Sequence, residues 1–447
     1  MKEYDVIIIG GSAAGLTAAI TARRHNADKT ILLIRGEEKV MIPCGIPYIY
    51  GTLGGADKNI MPDAPLDANK VDLIVGKASK IDTAGKIVEV NGEKVKYEKL
   101  IIATGSQPIM PPIPGFDKKN VFPILKDMKY LDEMRDKLSA VKDLVVIGGG
   151  FIGFEFADEC KKMNNMNVTI VEIMPHCLNL AYDEEFCIVA ENLLKEKGIK
   201  IQTSTKVTEI VGHDSVEGVK LDNGETVPAQ AVILGIGAAS DVELADKAGI
   251  KIGTSNAILV DRFQRTSAPD VFACGDCAEK KSFFGGAPTG LKLASIAAME
   301  ARIAAANLYG IKRENNGTIG VFSTSVADTA FATAGLTEYL AVKHGYTIAV
   351  ATQESPNRHP GGMPGLHKMT TKLIFEKNTG VLIGGQIMGG KAAGELINTV
   401  SALITNKMTA EDIAIFQAGT HPALTASPIA TGLINAAEMA ISMMKKN

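Results

Sequence analysis

One cysteine lies in a stretch of the chain that suits a reactive thiol better than regular structure. Cys44 is flanked by Pro43, Gly45 and Pro47. Each proline fixes φ and lacks a backbone donor, so the stretch cannot lie inside a helix or a central strand. We therefore expect Cys44 at a turn or a helix end, where backbone N–H groups lower the pKa of a thiol. The alternative is a buried structural cysteine, which is the usual state of a free thiol.

The other five cysteines do not suggest a disulfide framework, because their spacing is irregular in a long chain; they are Cys160, Cys177, Cys187, Cys274 and Cys277. The last two have the spacing of a redox motif or of half a zinc site. No second pair of this kind occurs in the sequence, and we predict no metal. The chain starts almost directly with an apolar strand and shows no leader, which favours a reducing, cytoplasmic location.

Length and charge limit the class of protein. The chain has 447 residues and a formal net charge of −3, and this length predicts roughly three domains of about 100–200 residues. No basic patch suggests nucleic-acid binding. Glycines or charges interrupt the apolar runs before the ~18 residues that a membrane span requires. We therefore predict neither a nucleic-acid partner nor a membrane partner.

A strand at 6–9, a small-residue turn and a helix at 16–24 form a first dinucleotide-binding fingerprint, with Ser12 in place of the middle glycine. Small residues let the backbone approach a pyrophosphate, which the helix N-terminus then holds. The candidate cofactor contacts in this turn are Gly10, Ser12, Ala13, Ala14 and Gly15. The next strand, 30–34, should end in an acid that binds a ribose hydroxyl, but Arg35 stands there, and we expect Glu37 or Glu38 to replace it.

Two further segments suggest contacts with a bound nucleotide. A buried strand at 97–102 ends in Ala103, Thr104 and Gly105, and the glycine permits a sharp exit beside a nucleotide. Later in the chain, a strand within residues 266–274 is followed directly by Gly275 and Asp276. Taken alone, Asp276 could also be a simple helix N-cap.

The second fingerprint is complete. Three glycines follow a strand at 144–147 and begin a helix that runs through Met163. The next strand, 168–171, ends in an acid nineteen residues beyond the last of these glycines. That acid, Glu172, can accept hydrogen bonds from ribose hydroxyls and would repel a 2′-phosphate, which favours NADH over NADPH. The candidate contacts are Gly148, Gly150, Phe151, Ile152, Gly153 and Glu172, together with Gly237 after a third buried strand at 231–234.

The chain changes character at about residue 326. Apolar and polar residues alternate in three segments, which predicts half-buried antiparallel strands at 347–352, 369–375 and 381–388. Apolar helices are predicted at 393–404 and 429–444, and Thr420-His421-Pro422 lies between them.

In this order, the motifs resemble the two-dinucleotide flavoprotein disulfide reductases over nearly the whole chain. The resemblance implies an α/β fold with two Rossmann-like dinucleotide-binding domains and a C-terminal α+β dimerisation domain. It assigns residues 1–111 and 246–325 to an FAD-binding domain, 112–245 to an NAD-binding domain and 326–447 to the dimerisation domain. The implied cofactors are FAD and NADH, and the implied assembly is a homodimer.

Typical members carry two cysteines, whereas Cys44 alone resembles the single-cysteine branch of coenzyme A disulfide reductases, persulfide and sulfur reductases, NADH oxidases and NADH peroxidases. The resemblance implies that the nicotinamide docks near Phe151, that Asp276 binds the ribityl chain, and that reduced flavin cleaves a disulfide between Cys44 and the substrate. Glu155 matches a family acid near the flavin, and a solvated helix charge is its alternative. His421 matches a general acid facing the other chain's Cys44, and a structural histidine is its alternative.

Several residues of this chain differ from those typical of individual branches, and these differences make some branches less favoured than others. Peroxidases and many oxidases place a histidine where this chain has Ala13 and Ala14, so general-acid help to a peroxide is missing. The serine and asparagine that hold coenzyme A near the cysteine are also missing. Arg23 and Arg24 stay candidates for its phosphates, with a solvated helix face as the alternative.

We predict an NADH-dependent reductase of a small disulfide or persulfide, with a coenzyme A derivative favoured. An NADH oxidase is the alternative, and an electron-transfer flavoprotein for a small iron protein is a lesser one.

Overall fold

The computed structural model describes residues 1–445. The strands are β1 (Lys2–Ile9), β2 (Ile31–Arg35), β3 (Asp72–Val75), β4 (Ala78–Asp82), β5 (Ile87–Val90), β6 (Glu93–Ile102), β7 (Ser106–Pro108), β8 (Val121–Pro123), β9 (Asp143–Ile147), β10 (Asn167–Val171), β11 (Lys200–Gln202), β12 (Val207–Val211), β13 (Gly218–Leu221), β14 (Thr226–Pro228), β15 (Ala231–Leu234), β16 (Ala238–Ser240), β17 (Val271–Ala273), β18 (Lys280–Lys281), β19 (Pro288–Thr289), β20 (Val321–Val326), β21 (Thr329–Gly335), β22 (Ile348–Pro356), β23 (Lys368–Glu376) and β24 (Leu382–Gly389). The helices are α1 (Ala13–His25), α2 (Ala64–Ala68), α3 (Met128–Ser139), α4 (Phe151–Asn164), α5 (Glu184–Glu196), α6 (Glu243–Lys247), α7 (Ala294–Ala306), α8 (Glu338–Lys343), α9 (Ala393–Thr405), α10 (Ala410–Ala414) and α11 (Gly432–Lys445).

The first sheet has the order β3-β2-β1-β6-β5-β4, and β17 also pairs with β6. β1, β2, β3, β6 and β17 run parallel, and β4 and β5 are joined to β6 by antiparallel pairs. All five residues of β2 are buried, as expected for a parallel strand covered on both faces. α1 and α7 pack against each other. Because β17 follows the second sheet in the chain, we propose a discontinuous domain here.

The second sheet has the order β11-β10-β9-β15-β8 and is parallel throughout. The third sheet has the order β20-β21-β24-β23-β22 and is antiparallel throughout. α9 packs on β21 and β24, and α11 packs on β22 and β23. The mixed α/β fold and the C-terminal domain agree with the class that the sequence predicts.

β20 begins at Val321 and belongs to the third sheet, so we propose that the C-terminal domain starts near residue 321 instead of 326. Of the helices in the described part of the chain, none combines the length and apolar character that crossing a membrane requires.

An ionic cluster around a buried lysine joins the third sheet to the start of α5. The ammonium of Lys372, on β23, lies 2.9 Å from Asp183 Oδ2, 2.5 Å from Glu185 Oε1 and 2.5 Å from Glu338 Oε1. The Lys372 side chain is 2% exposed. Gln386, on β24, accepts from the Asp183 N–H and donates to its Oδ2. The two carboxylates at the start of α5 are therefore tied to the third sheet.

Candidate active site

Cys44 lies in a single 3₁₀ turn, Pro43–Gly45, as the flanking prolines predict. Asn59 packs beneath the turn: its Nδ2 donates to the Ile42 carbonyl oxygen at 3.0 Å, and its carbonyl oxygen accepts from the Ile42 N–H at 2.9 Å. A Cβ atom at Gly45 would collide with the Asn59 amide. The turn therefore requires glycine after the cysteine, and Cys44 itself is exposed.

The segment after Cys44 is anchored to α4, the helix of the second fingerprint. Residues Ile49–Leu53 form a π-helical turn that packs on α4, and the rings of Tyr50 and Phe156 are 5.2 Å apart. The buried Glu159 carboxylate accepts from the Thr52 N–H at 2.7 Å and from its hydroxyl at 3.0 Å. The cysteine is thus held between the two nucleotide-binding units.

Glu155 lies one helical turn before Glu159 and contacts the third sheet. The Thr324 hydroxyl, on β20, donates to Glu155 Oε1 at 2.8 Å. Burial raises the pKa of Glu155 to about 7, the Thr324 hydrogen bond opposes the rise, and the charge of Glu159 adds to it. A carboxyl group that titrates near neutral pH can exchange protons during a reaction. The Phe151 ring stacks on Phe322 with centroids 5.0 Å apart, so β20 supports both residues.

The pKa of the Cys44 thiol lies above its ordinary value, contrary to the sequence prediction. Part of the side chain reaches solvent, but the protein atoms packed around the sulfur exclude water from it and raise its pKa; the Glu155 and Asp276 carboxylates raise it further, and Lys126 lowers it. A three-residue 3₁₀ turn offers too few aligned N–H groups to outweigh two carboxylates. The structure thereby places Cys44, Glu155 and Asp276 within electrostatic reach of one another.

The residues of the first turn fit a dinucleotide. Gly10 has φ +115°, and a Cβ there would collide with the Ala103 carbonyl; a Cβ at Gly15 would collide with the Gly10 carbonyl. The Ser12 side chain does not cap α1, and no acid occurs in the first helical turn described, which leaves N–H donors for an anion. A Cβ at Gly275 would lie 2.9 Å from the Cβ of Ala14. The turn, Ala103 and the Gly275 segment therefore converge at one sheet edge.

Asp276 and Thr104 are held by neighbouring polar groups. The Ser106 hydroxyl donates to Asp276 Oδ2 at 2.8 Å, and the Ser240 hydroxyl donates to the Asp276 carbonyl oxygen at 2.7 Å. The Thr104 hydroxyl donates to the Asp241 carbonyl oxygen at 2.7 Å, and the backbone turns at Gly105 with φ +76°. Asp276 keeps a second carboxylate oxygen for a polar ligand.

Arg35 takes a structural role at the end of β2. Its guanidinium is bidentate to Asp63, at 2.5 and 2.8 Å, and also donates to the carbonyl oxygens of Glu37 and Glu38. A Cβ at Gly11 would lie 2.6 Å from Arg35 Cδ. The Glu37 side chain is exposed, and it stays a proposed ribose ligand. Asp63 is an acid at this position that the sequence did not reveal.

The second turn fits a dinucleotide in the same way. Gly148 has φ +100°, a Cβ at Gly153 would collide with the Gly148 carbonyl, and no described heavy atom lies within 4 Å of a Cβ at Gly150. Glu172 accepts from the Gly149 N–H at 2.5 Å and from the Met174 N–H at 2.7 Å. Open space above Gly150 and an acid beside the turn suit a pyrophosphate and a ribose.

Two more predicted contacts flank this turn. Ile152 is 39% exposed at the start of α4. Gly237 has φ +101°, and its carbonyl oxygen accepts from the Ile109 N–H at 3.0 Å.

Three predicted residues lie apart from this group. The Arg23 guanidinium donates to the carbonyl oxygens of four residues, which uses four of its five donors; the acceptors are Ala27, Lys29, Asn69 and Lys70. Arg23 therefore holds these loops, and we do not retain it as a phosphate ligand. Arg24 is exposed at the end of α1, about 17 Å along the helix axis from Ala13. His421 lies in a C-terminal turn, where its Nδ1 accepts from the Ala423 N–H at 3.2 Å.

Sequence reasoning missed four residues of this site: Asn59, Asp63, Lys126 and Thr324. Each reaches the site through tertiary folding, and none stands in a recognisable motif. The one signal in the sequence that could indicate Thr324 is the alternation of buried and exposed residues along β20.

An exposed thiol between two dinucleotide turns defines a flavin- and pyridine nucleotide-dependent oxidoreductase. A family model described as pyridine nucleotide-disulphide oxidoreductase matches residues 4–301, and the model of that family's dimerisation domain matches residues 321–442. The chain belongs to the pyridine nucleotide-disulphide oxidoreductases, which confirms the predicted resemblance. FAD and NADH are the cofactors of the family, as the two fingerprints predict.

The similar proteins are named either as NADH oxidases or as sulfur or persulfide reductases. An NADH oxidase of Methanocaldococcus jannaschii is 32% identical over 91% of this chain and 92% of its own. A CoA-dependent NAD(P)H sulfur oxidoreductase of Pyrococcus furiosus is 31% identical over 92% of this chain and 94% of its own. The structure of an NAD-dependent persulfide reductase from A. fulgidus superposes with a TM-score of 0.91 at 30% identity, covering 99% of this chain and 84% of that one. The chain is thus an NAD(P)H flavoprotein oxidoreductase.

Proposed function

We propose that this protein is an NADH-dependent reductase of a small disulfide or persulfide, with a coenzyme A derivative as the favoured substrate. The observation that carries the proposal is the exposed Cys44 thiol beside Glu155, whose pKa is raised to about 7. The alanines at 13 and 14 leave no imidazole in the first turn for peroxide cleavage. The similarity to a CoA-dependent sulfur oxidoreductase and to a persulfide reductase supports the substrate class.

The chain's residues would divide the reaction between them. FAD, held by the first turn, Ala103 and the Gly275 segment, would supply the two-electron chemistry that links NADH to Cys44. Glu172 orients NADH through its ribose, and Phe151, stacked on Phe322, borders the nicotinamide position.

The sulfur chemistry belongs to Cys44. The exposed thiol loses its proton to solvent, the resulting thiolate attacks one sulfur of the substrate disulfide, a mixed disulfide forms, and the first thiolate leaves. Two electrons then cleave the mixed disulfide, which restores the Cys44 thiolate and releases the second thiolate. Glu155 gives or holds a proton at this site.

We further propose a homodimer formed through the C-terminal domain, in which His421 donates a proton to the thiolate that leaves the partner subunit's Cys44. The match to the dimerisation-domain model supports this assembly. Several large apolar side chains of this domain are exposed on the single chain; they include Ile415, Leu424 and Ile429. Burying such side chains would stabilise an interface.

A second candidate function is an NADH oxidase. The specific support is the NADH oxidase of M. jannaschii, which is similar to this chain over 91% of its length. In that case oxygen would take the electrons, and a coenzyme A disulfide would not reoxidise the protein.

Anaerobic stopped-flow spectroscopy tests the proposal. The holoenzyme is reduced by one equivalent of NADH and mixed with coenzyme A disulfide, with coenzyme A persulfide, or with air-saturated buffer. We expect rapid reoxidation by a coenzyme A compound, loss of this reaction in Cys44→Ser, and retention in Cys187→Ala, which removes a buried thiol of α5. Reoxidation by oxygen alone would replace the reductase assignment by the oxidase.

A further inference from the structure

The loop between β22 and β23 binds the turn that carries His421. The His359 N–H donates to the Pro422 carbonyl oxygen at 3.1 Å, and His359 Nδ1 lies 3.1 Å from the Thr425 carbonyl oxygen. A carbonyl oxygen can only accept, so His359 Nδ1 carries the hydrogen and donates it. One histidine therefore holds both ends of the turn at 421–425.

A hydrogen bond within this turn fixes the tautomer of His421. The Ala423 N–H donates to His421 Nδ1 at 3.2 Å, so the neutral imidazole carries its proton on Nε2. The His421 N–H donates to the Thr425 hydroxyl at 3.0 Å, and the His421 carbonyl oxygen accepts from the N–H groups of Leu424 and Thr425. The exposed ring is thereby left with one proton to donate, at Nε2.

We propose that His359 is a positioning residue for His421. Its two hydrogen bonds hold Pro422 and Thr425 on either side of the Ala423 N–H, and this N–H selects the Nε2–H tautomer of His421. The proposal rests on the proposed function, in which that proton goes to a thiolate leaving the partner subunit's Cys44. His359 makes no contact with substrate in this scheme and acts only through the turn.

The test uses two substitutions that differ in a single donor. In His359→Asn, the side-chain Nδ2 stands the same number of bonds from Cα as the imidazole Nδ1 and can still donate to the Thr425 carbonyl oxygen. In His359→Leu, this donor is lost and the bulk is kept. Each is made alone and with His421→Ala in the full-length holoenzyme.

Single-turnover reoxidation by coenzyme A disulfide is the readout, and reduction by NADH is the internal control. We expect His359→Leu to slow reoxidation by about fivefold, the size of one lost hydrogen bond, and His359→Asn to stay within about twofold of the parent. The NADH reduction rate should not change. In the His421→Ala background, His359→Leu should have no further effect, because the group it positions is absent.

The outcomes separate the two proposals. If His421→Ala slows reoxidation while His359→Leu does not, the positioning role is wrong and the acid role stands. If His421→Ala leaves reoxidation unchanged, the acid role in the proposed function is wrong and the positioning role falls with it. Equal slowing by His359→Leu in both backgrounds, or slowing of both half-reactions, shows a structural role and overturns the inference.

Discussion

Replacing Thr324 by valine should shift the pH dependence of the proposed reaction, because Thr324 supplies the hydrogen bond on Glu155. The hydroxyl donates to Glu155 Oε1 at 2.8 Å and opposes the effect of burial, and with this hydrogen bond in place the pKa of Glu155 is raised to about 7. A hydrogen bond to a charged group contributes about 1.5–3 kcal/mol, and one pH unit corresponds to about 1.36 kcal/mol. Valine keeps the shape and the β-branching that suit this buried strand position. The pKa of Glu155 should therefore rise by about one to two pH units.

The assay is the rate of single-turnover reoxidation by coenzyme A disulfide between about pH 6 and about pH 10, a range that covers the pKa of Glu155 before and after the expected shift. If protonated Glu155 is the active form, the rate falls as the pH rises through the pKa. Thr324→Val should move this decrease to higher pH, whereas Ser325→Val, at an exposed position of the same strand, should leave it in place. Glu155→Gln should remove it. A decrease that stays in place or moves to lower pH in Thr324→Val would refute the reasoning.

Three further predictions concern binding and stability. Glu172→Ala should raise the KM for NADH by about tenfold and reduce the preference for NADH over NADPH, measured as the ratio of the two kcat/KM values; an unchanged ratio would contradict the ribose role. Lys372→Met should lower the free energy of unfolding by about 3–5 kcal/mol in urea titrations, because it leaves the buried Asp183 carboxylate without its cation; a change below about 1 kcal/mol would show that the cluster is not stabilising. Gly45→Ala should destabilise the protein by about 1–3 kcal/mol in urea titrations, because the added Cβ would collide with the Asn59 amide. Gly36→Ala, where no described atom lies within 4 Å of the added Cβ, should not.

The two nucleotide turns could be predicted because their requirements are local. A glycine such as Gly10 or Gly148 is needed by its own φ and by the atoms that a Cβ would meet, and both needs appear as a short motif. The turn at Cys44 could be predicted for the same reason, since the prolines restrict their own backbone.

The electrostatics of the site could not be predicted from the sequence. Glu155 and Thr324 are separated by 169 positions in the chain, and the carboxylates that raise the pKa of Cys44 come from α4 and from the segment after β17. Arg35 shows the same limit, because its partner Asp63 follows 28 residues later in no motif. A pKa depends on burial and on through-space charge, and neither follows from residue order.

The third sheet contacts the second nucleotide-binding unit at two separate places. Thr324 of β20 reaches α4, and Lys372 of β23 reaches the start of α5. Two contacts from one sheet fix both the distance and the orientation of the second nucleotide-binding unit relative to the third sheet. The third sheet therefore holds the NADH side of the site in place. A chain cut before Val321 would lose the hydrogen bond on Glu155 together with the proposed dimer interface, so the proposed assembly and the protonation of Glu155 would depend on the same domain.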